Sequence, residues 1–312
     1  MSSITLSIKP RGKPISKLPR ELSIDPNATG AELYETIAQQ SNFSVHRLRI
    51  TKGSDGTAIQ NSNDATIHST GLRNQSTINV KGLGPQLAWR TVYMIEYLGP
   101  LLIHPLFLLP TLRSLVYRTS HPLELSDIQV LLCALVTLHF LKRELETIFV
   151  HRFGRATMPA QNVFRNSTHY WILSGVNIAY WVYSPSSKAA TTTIDSANPL
   201  ILYPGLALYT IGELANLNAH LVLRNLRRPG TSERGIPSGF GFSWVTCPNY
   251  LFEVVAWVGV YLISGLNWSV AIFIIIACAP MITWAKQKER KYRSDFGDKY
   301  KRKRFAMLPG II

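Results

Sequence analysis

The residues of this chain best able to do chemistry stand three or four apart, inside stretches that are otherwise apolar. One stretch holds Tyr93, Glu96 and His104, and a second ends in His139, Lys142, Arg143 and Glu146. A third, GELANLNAHLVLRNLRR, sets Glu213, Asn216, His220, Arg224 and Arg227 in step. Such spacing puts each set on one face of a helix. Ionisable groups among apolar residues are costly in a membrane and usually face an interior that has a function. Asn216 and Arg227 are 11 residues apart, about 16 Å of helix, so the stripe starts deep and ends in arginines. It suits a long ligand with a buried neutral end and phosphates near water, since arginine is the preferred phosphate partner. Plainer readings stand beside this one. Lys142, Arg143 and Glu146 read equally as a snorkelling, salt-bridged helix end, His104 and His139 as satisfied interior histidines, and the long stripe as interhelical hydrogen bonding.

A further constellation is Trp244-Val-Thr-Cys-Pro-Asn-Tyr-Leu-Phe-Glu-Val-Val-Ala-Trp257. Pro248 and Asn249 suit a helix start, which places Tyr250 in the first turn at a membrane mouth and Glu253 on the same face. Tyr250 also reads as an interfacial aromatic anchor. The tail interleaves basic residues with Tyr292, Phe296, Tyr300 and Phe305, a pattern suited to anionic headgroups, an adenine nucleotide or nucleic acid, or to a topology signal alone. No GxGxxG, Walker loop, HExxH or GxSxG pattern occurs, so soluble nucleotide folds and common hydrolase sites have no support.

The elements that must position these residues follow from composition. Of 312 residues, 46% are hydrophobic and only 16% charged, with a formal net charge of +15; soluble domains carry about 25% charged residues. The apolar residues gather into blocks after residue 90, and much of the positive charge flanks those blocks. Residues 286–304 hold ten Lys or Arg against three acids directly after the last block. This favours a membrane protein with basic cytosolic loops over a nucleic-acid binder. Cys133, Cys247 and Cys278 form no CxxC pair, so neither a disulfide framework nor a metal site is expected. The start MSSITLSIKPRGK lacks an apolar signal core, which predicts a cytosolic N-terminus.

Residues 1–82 read as a separate domain. Ile4–Lys9 alternates apolar and polar residues, Leu18–Ile24 makes a second strand, and AELYETIAQQ carries a helical stripe of Leu33, Ile37 and Ala38 capped by Thr29 or Gly30. Arg47–Thr51 and Ser76–Val80 complete a strand, strand, helix, strand, strand order that resembles the ubiquitin-like β-grasp. Residues 83–312 read as a mostly α membrane bundle of about six helices, near 91–112, 127–148, 168–184, 199–221, 249–265 and 268–285. The first is broken by Pro100, Pro105 and Pro110, and reads as kinked or re-entrant. Basic residues such as Arg152, Arg165, Arg224 and Arg227 lie between spans two and three and between four and five, which puts these loops and both termini in the cytosol. Arg113 and Arg118, in the first loop, fit that orientation less well.

In this order, NLNAHLVLRNLRRPG, CPNYLFEVVAWVG and a terminal region with Tyr292, Phe296, Tyr300 and Pro309 resemble the steroid 5α-reductase superfamily. The N-terminal domain, VYMIEYLGPLLIHP and HFLKRELETIFVHRFGRATMP narrow the resemblance to its very-long-chain trans-2-enoyl-CoA reductases. The resemblance implies an endoplasmic-reticulum enzyme of the fatty-acid elongation cycle. Such an enzyme uses NADPH to saturate an acyl-CoA, sits among membrane lipid and partners other elongation enzymes, with no nucleic acid involved. It assigns proton donation at Cα to Tyr250, opposite hydride addition at Cβ, and a site-organising role to Glu96. Asn216, Arg227, Asn249 and Tyr292 fall where the superfamily contacts NADPH, and Lys142, Arg143, His220 and Arg224 are grouped with them. His220 departs from the 5α-reductase pattern, which has an acid there.

The chemistry is coherent on its own terms. Hydride addition at Cβ leaves negative charge on a thioester enolate, which a nearby acid must quench. A phenol of ordinary pKa near 10 serves if polar or cationic neighbours favour the tyrosinate, for which Lys142 and His220 are candidates. Three rival readings are an isoprenylcysteine-type membrane methyltransferase, a sterol or steroid double-bond reductase, and a non-enzymatic scaffold that docks through its ubiquitin-like domain.

Overall fold

A computed structural model describes residues 3–119, 124–153, 156–226, 235–301, 303 and 305–311. The described residues divide into two compact units, one built from residues 3–89 and 156–162 and the other from the described residues of 90–153 and 163–311.

The first unit contains β1 (Ile4–Pro10), β2 (Glu21–Ile24), α1 (Gly30–Gln40), β3 (Leu48–Lys52) and β4 (Thr77–Gly82). β1 pairs antiparallel with β2 and parallel with β4, and β4 pairs antiparallel with β3, giving the order β2-β1-β4-β3. The strand, strand, helix, strand, strand succession along the chain is the one expected from the sequence. Strand alternation puts Leu6, Ile8, Leu22, Ile50, Ile78 and Val80 on one face, where they bury Leu33 and Ile37 of α1. Thr29 caps α1 reciprocally with Glu32: its Oγ1 accepts from the Glu32 N–H at 3.2 Å, and Glu32 Oε2 accepts from the Thr29 N–H at 2.9 Å. The second strand is shorter than its apolar pattern, starting at Glu21 rather than Leu18. β5 (Gln86–Ala88) pairs antiparallel with the later β6 (Thr157–Pro159).

The second unit is helical. α2 (Trp89–Leu106) contains Pro100 and Pro105, and breaks before α3 (Pro110–Tyr117) with a bend of 91°. Proline removes a backbone donor and clashes with the preceding turn, so the break falls where the prolines cluster. α4 (Asp127–Leu145) runs into a π-helical turn at Glu146–Val150. α5 (Asn162–Ser167) is joined by the π-helical stretch Thr168–Asn177 to α6 (Ile178–Val182). α7 (Pro199–Asn225), α8 (Pro248–Ile263) and α9 (Trp268–Phe296) complete the bundle. Two helices among the described residues, Pro199–Asn225 and Trp268–Lys299, are long and apolar enough to cross a membrane, and the bent pair α2–α3 makes a third if it is one span. α4 carries interior charges and α8 has only 16 residues. Length and composition therefore do not by themselves establish the six spans expected from the sequence. Leu200, Tyr203, Ile211 and Leu214 of α7 and Ile275 of α9 stay exposed, as a surface facing lipid would leave them.

α7 and α8 pack backbone to backbone. A Cβ on Gly212 would lie 2.5 Å from the Ala256 nitrogen, and one on Gly259 would lie 2.5 Å from the Gly205 carbonyl oxygen. Small residues let membrane helices approach this closely. That approach carries the α7 polar stripe onto the first turns of α8.

Candidate functional site: an ionic network between helices four, seven and eight

Asn216 lies where the three helices meet. Its Nδ2 donates to the Asn249 carbonyl at 2.8 Å and to Glu253 Oε2 at 3.2 Å, while its Oδ1 accepts from Lys142 Nζ at 2.8 Å. Lys142 Nζ is also 2.7 Å from Glu213 Oε2 and 3.6 Å from Glu146 Oε1. Above this, the His139 ring spans two carboxylates, with Nδ1 2.6 Å from Glu213 Oε1 and Nε2 3.3 Å from Glu253 Oε1. Trp257 closes one side of the ring in an edge contact with centroids 5.1 Å apart.

Arg143 forms the second centre. It donates to Glu146 Oε2 and to the Tyr97 hydroxyl, each at 2.8 Å. His220 Nδ1 lies 3.1 Å from Glu146 Oε1, and the His220 and His151 rings stand 4.8 Å apart. Glu146, His151 and His220 thus converge with ligand-type atoms within 4.8 Å. The Arg143 and Lys142 cations already hold that carboxylate, so the set is built as an ion-pair cluster rather than a metal centre. The π turn after Leu145 permits this, because the extra residue per turn brings Glu146 and His151 inward together. Burial pushes the His151 imidazole down to about 3, with the Arg143 and His220 charges acting the same way.

Glu96 of α2 is 1% exposed; it interacts with Asn166 and Arg143, and its Oε2 has no hydrogen-bond partner among the described residues. Tyr97, one residue on, joins α2 to Arg143. Tyr250 sits half-buried in the first turn of α8, within electrostatic reach of Tyr93, Arg143 and Tyr292, with Lys288 Nζ 5.8 Å from its ring centroid. No hydrogen bond holds its hydroxyl among the described residues. The Asn249 side-chain Oδ1 is likewise buried without a partner.

The tail braces this helix start. Thr246 and Cys247 donate backbone N–H groups to Phe305 and Ala306 at 3.2 and 3.0 Å. The Thr246 hydroxyl and the Tyr300 hydroxyl both bond Glu289 Oε2, the latter at 2.7 Å. Tyr292, 7% exposed, packs on Tyr300 with centroids 5.4 Å apart.

Of the residues singled out in the sequence, Lys142, Arg143, Asn216, His220 and Asn249 join one connected network. Glu96, Tyr250 and Tyr292 line its edge. Arg224 ends α7 half-buried, apart from the ionic contacts, and Arg227 lies outside the described residues. His139, Glu146, Glu213 and Glu253, which the sequence set on polar helix faces without a site role, and Tyr97, which it did not single out, hold the others. Their helical spacing with Lys142, Asn216 and Tyr250 was visible, but their partners lie on other helices.

Fold and network together define a helical domain of membrane type with a polar, ion-paired interior. A family profile described as 3-oxo-5-alpha-steroid 4-dehydrogenase matches residues 156–312. A Schizosaccharomyces pombe protein named as an enoyl reductase is 41% identical over 310 residues, 99% of this chain and 100% of the relative. The very-long-chain enoyl-CoA reductase of Dictyostelium discoideum is 36% identical over 297 residues, 93% of this chain and 94% of the relative. A Caenorhabditis elegans protein named as a very-long-chain enoyl-CoA reductase is 38% identical over 300 residues, covering 91% and 92%. The chain belongs to the steroid 5α-reductase family, among relatives that carry the enoyl-CoA reductase name.

Proposed function

We propose that this protein reduces the trans-2 double bond of a long-chain enoyl-CoA with NADPH, as the last step of a fatty-acid elongation cycle in the endoplasmic reticulum membrane. The observation that carries this reading is coverage. The steroid-reductase profile matches only residues 156–312, whereas relatives named for enoyl reduction align over 91% to 99% of the chain. A steroid substrate or a methyltransferase accounts for none of the matching N-terminal half.

The site fits a nicotinamide cofactor in its donor and acceptor set. Asn249 Oδ1 and Glu96 Oε2 are buried acceptors without partners among the described residues, the kind of group a carboxamide or ribose satisfies. Asn249, Asn216 and Tyr292 would hold the nicotinamide end, braced by Lys142 and Arg143, which are paired with Glu213 and Glu146, with His220 and Arg224 towards the phosphates; the expected contact of Arg227 lies outside the described residues. When bound, NADPH supplies the hydride that reaches Cβ.

The protein's own part is proton delivery and charge control. Tyr250 gives its phenolic proton to Cα as the enolate collapses, so each carbon of the former double bond gains one hydrogen and becomes a methylene, and solvent reprotonates the phenolate. The N-terminus of α8, where the partial positive charge of a helix concentrates, offsets the negative charge left on the phenol oxygen. Arg143 and Lys288 act in the same sense. The network beneath holds Asn249 and Tyr250 in place through Asn216. The six helical segments would span the membrane with both termini cytosolic, leaving the acyl chain in lipid and basic loops beside the CoA phosphates.

The test is NADPH oxidation by the purified chain with a long-chain trans-2-enoyl-CoA, run beside a sterol and beside S-adenosylmethionine with a prenylcysteine acceptor. Turnover of the enoyl-CoA alone is expected; inertness towards it overturns the reading.

A further inference from the structure

The outer face of the four-stranded sheet carries a cluster of basic residues that the reductase reading does not use. Strand alternation that buries Leu48, Ile50, Ile78 and Val80 turns Arg49, Thr51 and Lys81 to the other face. Register sets Arg49 directly opposite Lys81, and Arg11 follows β1 beside them, its N–H bonded to the Val80 carbonyl at 2.8 Å. Like charges directly opposite one another on a sheet cost stability. None of the three makes an ion pair among the described residues. The nearby acid, Asp55, is occupied by the Thr57 N–H at 2.8 Å and by Lys52 at 3.9 Å.

Between these cations lies a cavity of about 160 Å³ lined by Arg11, Arg49, Thr51, Gly56 and Lys81. Thr51 is 4% exposed, and its hydroxyl is buried with no hydrogen-bond partner among the described residues. Buried hydroxyls are nearly always satisfied, so an orphan asks for a partner. The rim residue Gly56, at φ +73°, leaves open space where a side chain would stand.

We infer that this cavity binds a phosphate group. Two guanidinium groups and an ammonium supply donors around one small space that Thr51, with its buried hydroxyl, also lines. A tetrahedral phosphomonoester has enough acceptor oxygens for all of them, whereas a carboxylate has two. The cavity holds a phosphate, not a whole nucleotide. The phosphate comes either from a lipid headgroup or free from solution.

Phosphorus NMR on the full-length chain in neutral detergent tests this. The probes are inorganic phosphate, dihexanoyl phosphatidic acid and, as the diester control, dihexanoyl phosphatidylcholine. Saturable line broadening by phosphatidic acid, without broadening by phosphatidylcholine, is expected. Equal affinity for inorganic phosphate identifies the free anion as the source, and binding confined to phosphatidic acid identifies the headgroup; both outcomes support the site. Arg49→Gln, at an exposed position, should weaken binding about tenfold, the scale of one charge-assisted contact. Thr51→Val removes the orphan hydroxyl, so it should raise the melting temperature without phosphate and abolish the rise that phosphate produces in the native chain. Absence of saturable binding by either phosphomonoester, or unchanged affinity in both variants, overturns the proposal.

Discussion

Asn216 of α7 donates its side-chain amide to the backbone carbonyl of Asn249 at 2.8 Å, while accepting from Lys142 of α4 at the same distance. One neutral side chain therefore ties the polar stripe of α7 and the charged end of α4 to the residue preceding Tyr250. Asn216→Ala leaves the Lys142 ammonium one acceptor short and the Asn249 carbonyl without its side-chain donor, a cost of about 1–3 kcal/mol. The chain should stay folded, with a lower melting temperature and at least about tenfold less turnover. Unaltered kinetics would remove Asn216 from the site.

Tyr250 tests the proton donor. Its hydroxyl has no hydrogen bond to lose among the described residues, so Tyr250→Phe should leave stability and NADPH binding near the native level. Enoyl-CoA reduction should fall by about 10²–10⁴-fold, the usual contribution of a positioned acid. Single-turnover kinetics together with cofactor fluorescence separate the two effects, and full activity would refute the assignment.

Glu213 holds His139 at 2.6 Å and Lys142 at 2.7 Å. Removing one member of a buried ion pair strands the others, and Glu213→Ala should cost about 3–5 kcal/mol. Melting in detergent should drop sharply. Exchanging His139 and Glu213 together for apolar residues of similar volume should recover part of that stability, although turnover stays low.

The α7–α8 contact makes a packing prediction. Gly212 has backbone atoms of Ala256 2.5 and 2.7 Å from where its Cβ would stand. Gly212→Val has to push α8 away, overpacking that costs about 1–3 kcal/mol or more, and should break the Asn216 to Asn249 bond. Activity should therefore fall even though the atoms nearest a side chain at 212 all belong to Ala256. The conservative Gly212→Ala should show a smaller loss of the same kind.

His151 predicts acid sensitivity. Its imidazole is pushed down to about 3 by burial and by Arg143 and His220, whereas an unfolded chain takes up that proton near 6.5. The folded state binds fewer protons, so stability is retained above about 6.5 and lost as pH falls towards 3. Between pH 6.5 and 5 the loss is at most about 2 kcal/mol. Melting temperatures at pH 7 and pH 5 should converge in His151→Gln relative to the native chain.

Much of the architecture was legible because its signals are local. The alternation of Ile4–Lys9 and the stripe of Leu33 and Ile37 place strand and helix, since the period of each element is written in neighbouring residues. Thr29 or Gly30 reads as the helix cap from the sequence, and the structure settles on Thr29, with Glu32 completing a capping box. The proline cluster in the first apolar segment marks where α2 and α3 part, though not the 91° between them. The π turn at Glu146–Val150 carried no such mark, because it answers to what packs on the helix end. The length of the second strand was overread, because apolar Leu18 packs on the core from outside the ladder.

By itself the sequence determined an apolar helical class, a beginning of two strands, a helix and two strands, and which polar residues share a helix face. Those properties depend on the pitch of one element and on composition. Only the tertiary structure decided that Glu213 faces His139 and Lys142, that Arg143 reaches Tyr97, and that Asn216 meets the start of α8. Periodicity orients side chains around their own axis. Which axes meet, and at what height, is set by where glycine lets two backbones touch, and Gly205, Gly212 and Gly259 set it here.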